Sequence, residues 1–149
     1  MKKFALILYL HFSGIIFGQT SLDKFNQEFP KKPQPILLYF YTDWCAYCKI
    51  QEREIENNLS LKNELNDGLY FLKINGESIF ELDFLGNKFQ PNNKSKTHDF
   101  VKQFLNKNEQ ENYPFWIILN ENLQIIDKNF GFLTKKQLSE IINKIKNGN

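Results

Sequence analysis

The chain has 149 residues, enough for one domain with a real core and hardly for two. Its composition is ordinary globular, 42% hydrophobic and 24% charged with 15 Phe, and it contains neither a low-complexity tract nor an internal repeat. The formal net charge is +2, and without Lys2 and Lys3 the remaining 17 basic residues face 17 acidic ones, so nothing in the charge calls for nucleic acid or an acidic lipid surface as partner.

MKK followed by FALILYLHFSGIIF and then, after Gly18, the polar QTSLDK has the layout of a secretory signal peptide. Residues 1–18 are read as that signal, cleaved near Gly18, and 19–149 as a single exported domain, periplasmic or extracytoplasmic. The alternatives are a retained N-terminal membrane anchor, for which the run is short and interrupted by His11, and a buried strand. No Cys follows the apolar run, which argues against a lipid-anchored form.

SLDKFNQEF has helical spacing, with Leu22, Phe25 and Phe29 on one side, and PKKPQP ends it. ILLYFY, residues 36–41, is a continuous apolar run that predicts a strand buried on both faces. A helical pattern begins near Cys45, a second short helix over SLKNELN takes Ser60 as N-cap, and Asp67-Gly68 ends it. LYFLKIN, residues 69–75, predicts the next strand. Two short apolar runs around Gly86-Asn87 predict a β-hairpin inserted at about residues 77–95. PNNKSK is then an exposed loop, and HDFVKQFLNK a helix with Phe100, Val101, Phe104 and Leu105 on one face and a solvent-facing His98 at its start. FWIIL and LQIID flank Asn120-Glu121-Asn122 as a hairpin, and Gly131 breaks the chain. Thr134 and Gln137 form a capping box for a helix with Leu138, Ile141, Ile142 and Ile145 on its apolar face, lying over the sheet.

The two cysteines both lie in WCAYCK, residues 44–49. A zinc site takes four ligands, mostly Cys and His, and beyond Cys45 and Cys48 only His98 is on offer outside the leader, so no metal is expected. A purely structural disulfide is a poor reading too, because so small a loop removes little entropy from the unfolded chain. The reactive reading has a mechanism. A cysteine in the first turn of a helix meets unpaired N–H groups and the positive end of the helix dipole, which favour the nucleophilic thiolate. Cys45 is then the attacking thiol and Cys48, one turn on, the resolving one, with Lys49 adding positive charge and the pair facing solvent where the strand ends.

From about Gln34 to Lys146 the chain resembles the thioredoxin-fold family. LLYFYTDWCAYCK resembles the family's strand, Trp-Cys-x-x-Cys-Lys and following helix, LKIN its next strand, and NYPFWIILNENLQIIDKNFGFLTKKQLSEII its cis-proline, hairpin, glycine and closing helix. The resemblance implies an α/β architecture, a central mixed β-sheet flanked by helices. It also implies that Pro114 is a cis-proline packed over the cysteines, that Tyr113 offers backbone groups to an incoming peptide, and that Trp44 and Tyr47 lie on the groove's rim. TDWCAYCKIQERE resembles small exported thioredoxin-like proteins and the C-terminal domain of transmembrane thiol:disulfide interchange reductases, which makes Glu52 a candidate proton-handling group; a solvated helix carboxylate is the plainer reading. Where thioredoxin itself carries a buried aspartate, six residues before the first cysteine, this chain has Tyr39, which leaves Lys73 without that partner. Residues 76–96 are longer than the family's connection, either a partner-specific element or a decorated edge.

The expectation is a monomeric thiol:disulfide oxidoreductase, reductive or isomerising, exchanging electrons with protein thiols and disulfides and with a membrane donor or acceptor. Its only redox group is the Cys45–Cys48 pair, without other cofactor. The rivals are a thioredoxin-like binding or chaperone module with a dispensable pair, and a dedicated relay to one partner.

Overall fold

The computed structural model describes residues 20–147, so the expected signal peptide lies outside the described residues. Among these the elements run α1 (Leu22–Glu28), β1 (Ile36–Tyr41), α2 (Ala46–Glu56), α3 (Leu59–Leu65), β2 (Tyr70–Asn75), β3 (Leu82–Phe84), β4 (Asn87–Phe89), α4 (Asp99–Lys102), β5 (Phe115–Leu119), β6 (Ile125–Phe130) and α5 (Lys135–Lys146).

The main sheet has the order β2-β1-β5-β6. β1 pairs with β2 in parallel and with β5 antiparallel, and β5 pairs antiparallel with β6. The two central strands are the continuous apolar runs, as burial on both faces requires. Their side chains alternate between two cores. Ile36, Leu38, Phe40, Phe115 and Ile117 point to one face, where Phe25, Leu72, Phe84 and Phe100 meet them. Leu37, Tyr39, Trp116 and Ile118 point to the other, covered by Leu61, Leu138 and Ile142 of the helices and reached by both cysteines.

β3 and β4 form the inserted hairpin as a separate two-stranded sheet. Its turn is centred on Leu85 (φ 52°) and Gly86 (φ 82°), one residue before the expected Gly86-Asn87, and the positive φ at both central positions is that of a type I′ hairpin turn. The hairpin is built into the core instead of decorating an edge. Phe84 stacks on Phe25 at 5.2 Å, and Asn26 donates to the Asp83 carbonyl at 2.9 Å while accepting from Leu85 N–H at 2.9 Å.

Other expectations are corrected. Asn58, not Ser60, caps α3, its Oδ1 accepting from Leu61 N–H at 3.1 Å, while Ser60 lies within the helix and donates to Glu64. α4 is a single turn; beyond it the chain tightens to i→i+3 bonds, Phe104 N–H to Val101 C=O at 3.0 Å, which still buries Phe104. His98 does not face solvent. It is buried as the N-cap of α4, its Nδ1 accepting from Phe100 N–H at 3.1 Å. The final strand begins at Ile125, after a loop in which Asn120 Oδ1 accepts from Asn122 and Gln124 N–H. The Thr134–Gln137 capping box is present and opens α5.

Candidate active site

β1 delivers the chain from the middle of the sheet into Thr42, Asp43 and Trp44, and Cys45 N–H bonds back to Thr42 C=O at 3.2 Å. Cys45 is the N-cap of α2, extended at φ −73° and ψ 108°, and its Sγ accepts from Cys48 N–H at 3.1 Å. A sulfur therefore occupies the place a serine or aspartate oxygen fills at most helix starts. Cys45 and Cys48 are joined as a disulfide. They are only 3% and 1% exposed, so the pair is covered and not solvent-facing as expected, because Cys48 lies on the face of α2 that packs on the sheet.

The residues that flank the pair do face solvent. Trp44 and Tyr47 are each 65% exposed, and Lys49 is exposed on the first turn of α2. The Tyr113–Pro114 bond is cis, as the resemblance implied. The Tyr113 ring meets Trp44 edge-on at 6.3 Å, which sets the proline loop beside the cysteine loop. Burial, then the carboxylates Glu111 and Glu77, push the Tyr113 phenol well above its ordinary range.

Beneath the pair, the Tyr39 hydroxyl donates to Cys48 C=O at 3.2 Å. Burial first, then the nearby Glu52 carboxylate and Tyr41, hold the Tyr39 phenol protonated far above its usual range. Glu52, one turn beyond Cys48, forms a 2.8 Å ion pair with Lys73, and Lys73 Nζ also sits 4.5 Å over the Tyr41 ring. Lys73, beside Tyr39, is thus not left without a partner, and Glu52 is not simply a solvated carboxylate. With both side chains only about a quarter exposed, the pair is more than an ordinary surface contact.

Several residues of this neighbourhood escaped the sequence reading. Gln51, fully buried one turn after Cys48, accepts from Leu133 N–H at 2.8 Å and ties α2 to the segment leading into α5. A polar residue on the buried face of an amphipathic helix was the available signal. Glu77 accepts from the Trp44 indole at 2.9 Å, and Asn75 bridges Asp43 and Glu77. Gly76 lies against the Tyr113 ring: a Cβ there would fall 2.6 Å from ring carbons. Among the described residues no group of three or more His, Cys, Asp and Glu side chains is arranged to hold a metal ion, and no helix is long and apolar enough to cross a membrane.

Residues 22–146 match the family described as a thioredoxin-like domain. The chain belongs to that family. Solved structures with a similar fold include a thioredoxin-fold protein from Helicobacter pylori, at TM-score 0.61 and 16% identity over 78% of this chain and 71% of that one. Chloroplastic thioredoxin z matches at TM-score 0.53 and 16% identity, over 88% and 95%. Thioredoxin-2, a component of the malaria parasite protein secretion machinery, matches at 0.51 and 22%, over 74% and 82%. No curated protein matches the chain in sequence. The family, the central mixed sheet and a disulfide-forming Cys-x-x-Cys pair at a helix start together fit thiol–disulfide chemistry on protein thiols and disulfides in general.

Proposed function

We propose that the protein is an exported thiol:disulfide oxidoreductase that works in the reductive or isomerising direction. The observation that carries the reading is the Cys48 N–H aimed at Cys45 Sγ, at the N-terminus of a helix of 11 residues. In the dithiol state the same N–H and the helix dipole stabilise a Cys45 thiolate.

Cys45 Sγ attacks one sulfur of a client disulfide, forming a mixed disulfide and releasing the other client sulfur as a thiolate, which takes a proton. The Cys48 thiol then loses its proton and attacks Cys45 Sγ. The Cys45–Cys48 disulfide forms, the client leaves as its second thiol, and two electrons have passed to it. Glu52 is the proposed acceptor of the Cys48 proton, held in place by Lys73, while Tyr39 fixes the Cys48 backbone. The Tyr113–Pro114 loop, with Trp44 and Tyr47, shapes the groove for the client chain. Among the described residues the Tyr113 backbone N–H and C=O have no hydrogen-bond partner, which supports pairing with an extended peptide. A monomeric protein re-reduced by a membrane dithiol donor completes the cycle.

Insulin-disulfide reduction tests this: the wild-type protein is active and Cys45→Ser inactive, whereas undiminished activity in Cys45→Ser overturns the mechanism. The exposed Ile79 and Phe80 favour a second reading, a binding module with a dispensable pair. Alkylation of both cysteines separates the two, since it abolishes the protein's action on its clients under the first reading and leaves that action intact under the second.

A further inference from the structure

Ile79 and Phe80 are 77% and 73% exposed, more than any other large apolar side chain among the described residues. They stand on the loop that leads from β2 into the inserted hairpin, and the backbone of that loop is held at both ends. Asn75 Oδ1 accepts from Glu77 N–H at 2.9 Å, and His98 N–H donates to Gly76 C=O at 2.8 Å, closing the loop's neck. Because His98 Nδ1 accepts from Phe100, its Nε2 carries the proton and donates to Phe80 C=O at 3.0 Å. A loop free to rearrange would fold two such side chains inward. Here the main chain is anchored to a buried histidine and the side chains are presented outward, pre-organised for contact.

The loop is continuous with the redox rim. Glu77 holds the Trp44 indole at 2.9 Å, and Trp44 precedes Cys45. Chain geometry keeps the Cα of Ile79 within roughly 7 Å of that of Glu77, and Phe80 within roughly 11 Å. Cys45 and Cys48, at 3% and 1% exposure, admit a thin extended segment more readily than the flat face of a folded domain.

We propose that Ile79 and Phe80 form a client-docking shelf that binds an extended polypeptide carrying a large apolar side chain a few residues from its reacting cysteine. The proposal rests on the thiol:disulfide reading and names its substrate class: unfolded or misoxidised polypeptide, with the inserted segment supplying selectivity for apolar neighbours of the disulfide. Trp44, which precedes Cys45, is bridged by Glu77 to the loop that carries the shelf.

Two synthetic peptides of equal length, each closed by one disulfide, test it. One carries Leu a few residues from a cysteine and the other Ser. Single-turnover reduction by the dithiol form of the protein is followed for both, with oxidised glutathione as a third substrate of the wild type. Wild type reduces the Leu peptide about tenfold faster than the Ser peptide, a difference of ~1.4 kcal/mol. In the I79S/F80S variant that ratio falls to near one, and Phe80→Leu restores most of it when returned to the variant's position 80 alongside native Ile79. A wild type that reacts with glutathione but treats the two peptides alike, or a variant that keeps the full ratio, overturns the shelf alone. Reaction with none of the three substrates overturns the thiol:disulfide reading, and the shelf with it.

Discussion

The Tyr39 hydroxyl donates to the backbone carbonyl of Cys48 at 3.2 Å, from a strand position directly beside Lys73 of β2. A neutral phenol therefore lies where the resemblance to thioredoxin implies an aspartate, and the nearby carboxylate comes instead from α2, as Glu52 paired with Lys73. The division of labour follows from burial. Tyr39 is wholly inside the core, where a charge is costly, whereas Glu52 and Lys73 are a quarter exposed and meet each other.

Tyr39 gives a test with a definite sign. Its phenol ionises near 10.0 in the unfolded chain and well above that in the folded one. With the folded value the higher, its contribution is complete below pH ~10 and is lost as pH rises from there, by up to ~1.4 kcal/mol per pH unit as the unfolded chain comes to bind fewer protons. Urea unfolding between pH 9 and pH 11 reads this directly. Wild type loses stability more steeply than Tyr39→Phe over that window, and equal slopes contradict the burial argument. At neutral pH Tyr39→Phe costs about 1 kcal/mol, the worth of one hydrogen bond.

Glu52→Gln removes the carboxylate while keeping shape. The mixed disulfide between Cys45 and a client then persists several-fold longer at neutral pH, while the first attack by Cys45 keeps its rate, a split that stopped-flow reduction resolves. Loss of the pair costs on the order of 1 kcal/mol of stability, since both partners retain some water. Equal slowing of both steps would assign Glu52 a structural role only.

Gly76 and Tyr113 are coupled by contact. Gly76→Ala places a methyl 2.6 Å from Tyr113 ring carbons, so the ring moves and the proline loop with it. The expected cost is about 1–3 kcal/mol. In a Tyr113→Ala background the same change costs almost nothing, and a double-mutant cycle by denaturant midpoint measures the difference. Additive costs would show that the ring does not rest on Gly76.

His98 supports α4 and the insertion together. His98→Ala loses about 1–2 kcal/mol through the missing cap and the freed Phe80 carbonyl, and His98→Asn, which caps equally well, recovers part of it. Thermal melts of the three proteins check the order.

Elements whose logic is local were legible in the sequence. The run ILLYFY declared a strand buried on both faces, and Thr134 with Gln137 declared where α5 begins. Cys45 and Cys48 were readable because a strand ends and a helix starts around them. What stayed hidden depends on partners distant in the chain. His98 looks polar and exposed until Phe80 and Gly76 arrive to bond it, and Glu77 gains its meaning only beside Trp44, 33 residues away. The Glu52–Lys73 pair requires α2 to cross β2, and no periodicity within either segment encodes that crossing. The covered state of the cysteines likewise comes from α2 packing its Cys48 face onto the sheet.

Direction of electron flow has its own measurement. Titration of the Cys45–Cys48 couple against dithiothreitol, followed on Trp44 fluorescence, gives a potential on the reducing side, nearer roughly −270 mV than −120 mV. A value at the oxidising end would reverse the proposed direction and make the protein a donor of disulfides.

The central claim is that Cys45 attacks and Cys48 resolves. The most direct measurement is to mix reduced Cys48→Ser protein with a disulfide-containing client and map the adduct by mass spectrometry. A stable mixed disulfide on Cys45 is the predicted result. A Cys48→Ser protein that forms no adduct, together with a Cys45→Ser protein that traps the client through Cys48, contradicts the account.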